Sequence, residues 1–203
     1  MRTIKRNPVI EIISHRVNSL AALERLPPDR GAEFDVRSRG SRLILNHEPF
    51  SEGDSLEDFL ACRAKSGRKG TLVFNPKEDG LENEMLALAR RFEIADFFLL
   101  DLAAPTLIRL AFSGGIKDLS VRVSEHEPLA AALQFKSRVK WVWVDCFSGK
   151  PPDLELVKNL KEYFRVCVVS PELQGYPEET IRNFSGLIPV ADAVCTDHPE
   201  LWY

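Results

Sequence analysis

Two histidines and two carboxylates in this sequence sit where proton transfer at neutral pH would need them. His15 ends the apolar run Ile12-Ile13-Ser14, and His47 follows the apolar Leu43-Ile44-Leu45. Imidazole titrates near neutrality, so one such ring can take a proton from a hydroxyl while another delivers one to a departing alkoxide. Glu33 and Asp35 lie between them in the chain, two apart in an extended stretch, which turns both side chains to one face. Paired carboxylates repel one another unless a cation lies between them. A hard divalent ion, Mg2+ or Ca2+, meets that need; so does a structural ion-pair network with Arg37, Arg16 or Lys77. His126 and His198 have no such setting and are expected on the surface.

The elements that must position these groups are legible as short apolar runs at 9–14, 32–36, 71–74, 97–100, 120–123, 141–144, 166–169 and 193–195. Most are continuously apolar rather than alternating, as expected of parallel strands buried on both faces. Helical patterns separate them. One is Leu56, Phe59 and Leu60 behind the N-cap Ser55; another is Leu154, Val157 and Leu160 after Pro151-Pro152-Asp153. Ile181, Phe184 and Leu187 predict a last helix. Strand-then-helix order repeated about eight times in about 200 residues predicts an α/β fold, a single (β/α)8 TIM barrel spanning residues 1–203. Ser38-Arg39-Gly40-Ser41 reads as a tight turn, which predicts a short hairpin extension after strand two.

In such a barrel the functional face lies at the C-terminal ends of the strands. There the sequence gathers His15-Arg16, Glu33, Asp35, His47, Asn75, Lys77, Asp101, Arg122, Glu125, Asp145, Glu172 and Thr196-Asp197. A purely structural barrel has no reason to collect so many ionisable groups at one end.

Composition narrows the remaining possibilities. A net charge of -3 with scattered Arg and Lys argues against a nucleic-acid partner. No stretch has transmembrane length, and the basic N-terminus leads into too short an apolar run for a signal peptide, so a cytoplasmic protein without membrane insertion is expected. The four cysteines (Cys62, Cys146, Cys167, Cys195) lack the close spacing of a zinc site, and three of them lie in apolar, strand-like runs and read as core residues.

The segments Ile12-Ile13-Ser14-His15-Arg16, Gly31-Ala32-Glu33-Phe34-Asp35-Val36 and Asn46-His47-Glu48-Pro49, with the closing Ala193-Val194-Cys195-Thr196-Asp197-His198-Pro199, resemble the glycerophosphodiester phosphodiesterase family. The resemblance implies a TIM barrel that hydrolyses a glycerol- or sugar-linked phosphodiester, a small-molecule substrate. It also implies His15 and His47 as the acid/base pair, a divalent cation on Glu33 and Asp35, and Arg16 on the phosphate. The chain departs from the family pattern twice. Val17 replaces a glycine, so the loop over the phosphate must be shaped differently. Asn75 or Lys77 stands where the family's third metal-binding carboxylate belongs. Asn75 would ligate the metal through its carbonyl. Lys77 would instead place a fixed cation in the metal's position, giving a metal-independent, lyase-like enzyme. A barrel that binds phosphate esters without turnover is the third reading. Lys77, Arg122, Glu125, Trp143, Asp145 and Glu172 are expected to line the substrate-binding side, although Trp143 would equally fill the core.

Overall fold

The computed structural model describes residues 10–203; the expected start of the first strand, Val9, lies outside them. Among these residues eight parallel strands follow one another in chain order: β1 (Glu11–Ser14), β2 (Gly31–Arg39), β5 (Leu72–Pro76), β6 (Phe97–Leu99), β7 (Ser120–Val123), β8 (Trp141–Val144), β9 (Arg165–Val169) and β10 (Ala193–Thr196). The pairings run β6–β5–β2–β1–β10–β9–β8–β7, so the sheet curls until β6 and β7 face each other. One parallel bridge, Leu99 to Leu119, crosses that seam. The result is a TIM-barrel-like α/β fold. After β2 the chain doubles back through Gly40, at φ 62°, into β3 (Arg42–Leu45), antiparallel to β2, and then β4 (Asp54–Ser55).

Alternation along β2 explains its two faces. Ala32, Phe34 and Val36 face the helices, where Phe34 packs at 4.8 Å from the rings of Phe59 and Phe74. Glu33 and Asp35 point inward. The interior below them is filled by Ile13, Val73, Phe98, Leu100, Trp141, Trp143, Cys167, Val169 and Cys195. A Cβ on Gly31 would lie 2.7 Å from the carbonyl oxygen of Thr71 and 2.8 Å from Ile13, so β2 can enter between β1 and β5 only as glycine.

Among the described residues six α-helices cover the outside: α1 (Leu20–Arg25), α2 (Leu56–Lys65), α3 (Glu82–Arg91), α4 (Ala104–Ile108), α5 (Leu129–Leu133) and α6 (Leu154–Lys161). Ser55 caps α2, its hydroxyl accepting the Asp58 N–H, and Asp153 caps α6. The helix expected around Ile181 is instead a 3-10 stretch, Glu178–Leu187. Its buried residues Ile181, Phe184 and Leu187 recur every third position, a spacing that stacks on one face at three residues per turn. α4 continues into a π-helical turn, Arg109–Ser113. Among the described residues no helix is long and apolar enough to cross a membrane.

Candidate active site

β2 brings the paired carboxylates to the barrel mouth, each 1% exposed. Glu33 accepts the Arg16 backbone N–H at 2.9 Å through Oε2 and the Asn75 amide at 2.9 Å through Oε1. Arg16 adopts φ 51°, the left-handed region, which turns its N–H towards Glu33. The next residue, Val17, is buried and donates its own N–H to the Glu33 carbonyl at 2.8 Å. With Val17 buried at this point of the loop, the left-handed backbone angle falls on Arg16.

Asp35 is held from three directions. Asn18 donates its amide to Oδ2 at 2.7 Å and accepts the Asp35 N–H at 2.8 Å; Lys77 Nζ lies 2.9 Å from Oδ1; Arg16 Nε lies 3.8 Å from Oδ2. Burial and the charge of Asp35 hold the Glu33 pKa above the usual carboxylate value, against the opposing pull of His15.

His15 follows β1 and sets Nδ1 3.0 Å from Asp197 Oδ1, beyond the end of β10. A carboxylate accepts hydrogen bonds, so Nδ1 carries the proton and Nε2 presents its lone pair. Burial alone would lower the imidazole pKa, but the Asp197 hydrogen bond and the charges of Glu33 and Asp197 raise it. His15 in turn lowers the Asp197 pKa, chiefly by the hydrogen bond. His47 sets its Nδ1 2.7 Å from Glu48 Oε1. The two histidine loops are pinned to one strand. Val17 N–H bonds the carbonyl of Glu33, and Asn46 N–H bonds the carbonyl of Asp35 at 3.1 Å.

Glu33 and Asp35 offer no free oxygen to a divalent cation in this arrangement. All four carboxylate oxygens of Glu33 and Asp35 already face donors, and one of those donors is an ammonium. Asn75 spends its amide on Glu33 and leaves one buried Oδ1 without a partner among the described residues. Nor do those residues contain a cluster of three His, Cys, Asp or Glu side chains able to hold a metal. A divalent cation taking the Glu33 and Asp35 oxygens would have to displace their donors, the Lys77 ammonium among them.

Across the mouth, Arg122 donates to Asp101 at 2.6 Å and to Asp145, with Glu127 at 3.5 Å from its Nε. Gln174 donates to the other oxygen of Asp145 at 2.7 Å. Burial pushes the Asp145 carboxyl up to about 6, against the pull of Arg122. Trp143 lies in the barrel interior, 6.3 Å from Phe98 between ring centroids, and fills the core. Glu125 caps a turn, accepting the N–H groups of Phe147 and Ser148. Glu172 faces inward along the rim: it accepts from Ser170, from Thr196 Oγ1 at 2.5 Å and from the Asp197 N–H at 3.0 Å. It thus supports the turn that carries the partner of His15. Sequence reading gave no role to Asn18 or Glu48. It placed Asp197 at a strand end without showing that it meets His15, 182 residues away.

No family model matches the chain, and no curated protein does. Solved structures do share its fold. A glycerophosphoryl diester phosphodiesterase from Parabacteroides distasonis superposes with a TM-score of 0.66 at 12% identity, covering 97% of this chain and 85% of that one. A phosphodiesterase from Oleispira antarctica, solved with its product sn-glycerol-3-phosphate, gives 0.65 at 15% identity over 96% and 95%. A mutant tryptophan synthase α-subunit from Pyrococcus furiosus gives 0.54 at 17% identity over 94% and 88%. At these identities the likeness is one of fold: a TIM-barrel-like chain of about the same extent as two phosphodiesterases.

Proposed function

We propose that this protein is a phosphodiesterase acting on a glycerol- or sugar-linked phosphodiester, with fixed side-chain cations in place of a metal. The observation that carries the reading is the His15–Asp197 pair set beside Glu33, Arg16 and Lys77 at the mouth of the barrel. The product bound by the Oleispira structure gives the substrate class its chemical outline.

The phosphate oxygens lie against Lys77 and Arg16, whose charges are fixed before the reaction and need no reorganisation during it. Nε2 of His15 takes the proton of the attacking oxygen, from water or a neighbouring hydroxyl of the substrate. Asp197 steadies the imidazolium that forms. A P–O bond forms and the opposite P–O bond breaks; Nε2 of His47, held through Nδ1 by Glu48, protonates the departing alcohol. Asp35 and Glu33 hold Lys77 and the Arg16 backbone in place.

The test is turnover of a panel of glycerol and inositol phosphodiesters, followed by 31P NMR, with and without EDTA. Release of a phosphomonoester or cyclic phosphate that is insensitive to EDTA and lost in His15→Asn supports the reading. Strict dependence on a divalent ion would overturn the role given to Lys77.

A further inference from the structure

The β6–β7 seam is thinly joined and flanked by short helices. One bridge joins the two strands, and the helices beside it, α4 and α5, are five residues each. Between them opens a groove of about 390 Å3, walled by Leu102, Leu107, Ile108, Val121, Ala131 and Phe135. Arg122, Asp101 and Glu127 stand at its upper end. Asp101 and Leu102 also wall a second cavity, of about 370 Å3, that contains Asn75 and Lys77. The apolar groove and the cation of the proposed active site are thus separated by a shared wall of two residues. Asp101 itself sits at φ 54°, a backbone angle uncommon for a non-glycine residue, and α4 passes into its π-turn along this same edge.

Charge decides which part of a substrate lies on each side. Lys77 and Arg16 draw the phosphate to the β2–β5 side of the mouth. On the groove side Arg122 is already shared among Asp101, Asp145 and Glu127, so a second anion has no unclaimed cation there. What crosses Leu102 carries no second negative charge, and beyond it the wall is mainly hydrocarbon, with Ser120 and His126 its polar members.

Resting on the phosphodiesterase reading for the position of the phosphate, we propose that the groove takes an apolar chain. The substrate class is then a phosphodiester in which one alcohol carries an alkyl or acyl chain. Burying successive methylenes in the groove tightens binding by up to about fourfold each, until its length is filled.

The test is calorimetric binding of hexyl, octyl and decyl phosphate below their micellar concentrations, with glycerol phosphate as the short reference. The wild-type Kd is expected to fall two- to fourfold per methylene. Ala131→Trp, which fills the groove from an exposed position, and Ile108→Glu, which places a charge in its wall, are expected to bring that factor close to one. The factor is a ratio within one protein, so a general loss of affinity does not imitate it. A flat series in the wild type, or a steep one that survives in both variants, overturns the proposal. Chain-dependent binding without hydrolysis of any diester would count against the phosphodiesterase reading alone; hydrolysis of glycerol diesters with a flat series would count against the groove alone.

Discussion

Lys77 Nζ lies 2.9 Å from Oδ1 of Asp35, a carboxylate that is 1% exposed. A buried charge that loses its partner is costly, because the protein interior solvates it poorly. Lys77→Met is therefore expected to lower stability by roughly 2–4 kcal/mol, read from urea unfolding, and to slow turnover at least about a hundredfold. Lys77→Glu makes the complementary point. It puts a third carboxylate beside Glu33 and Asp35, so Ca2+ or Mg2+ should raise the melting temperature of this variant and leave the wild type unmoved.

Removing either imidazole should be felt in kcat. His15→Asn and His47→Asn are each expected to lose about 10²- to 10⁴-fold in turnover while keeping the wild-type circular dichroism spectrum. Wild-type rates in both variants would end the acid–base mechanism.

Asp197→Asn has a more specific signature. Asp197 raises the pKa of His15 through its hydrogen bond and its charge, so its neutral replacement lowers that pKa. A base works when deprotonated, and the acidic limb of the kcat/KM profile should move to lower pH along with a drop in the plateau. An unmoved limb would show that the pair does not set the proton transfer.

Asp145 predicts how stability changes with pH. Its pKa is about 6 in the folded protein, against an ordinary value of 3.8. The folded state therefore binds more protons than the unfolded chain between these values, and stability falls as pH rises through them. The loss assigned to this group is on the order of 3 kcal/mol. Asp145→Asn should flatten the unfolding free energy between pH 4 and 6 relative to the wild type.

Glu172 links the rim to the proposed base. Glu172→Ala removes the acceptor for Thr196 Oγ1 and the Asp197 N–H. The expected effect is a lower kcat with KM little changed and the His15 limb shifted, since the Asp197 turn loses its support. A rise in KM alone would instead make Glu172 a binding residue.

The parallel strands were legible because burial on both faces writes them as apolar runs: 120–123 and 141–144 coincide with β7 and β8. The inward pointing of Glu33 and Asp35 followed from the two-residue period of a strand. What sequence could not reveal depends on contacts between distant segments. Asn18 carries no local signal, because its bond to Asp35 exists only once β1 and β2 lie side by side. The contact of Lys77 with Asp35 also lay beyond the motif, which does not say which atoms reach the carboxylate oxygens. The 3-10 turn at Ile181 was written in its spacing of three, which an expectation of helix passed over.

β1 and β10 are paired from Glu11 to Ala193 through Ser14 to Thr196. The neighbours that meet there are almost the whole chain apart, so their union carries a large loop-closure cost and belongs late in folding. A partly folded chain would then hold its cations and carboxylates on β2 and β5 before it owned a working base. The proposed site would be completed in a single late event, the docking of the last strand against the first.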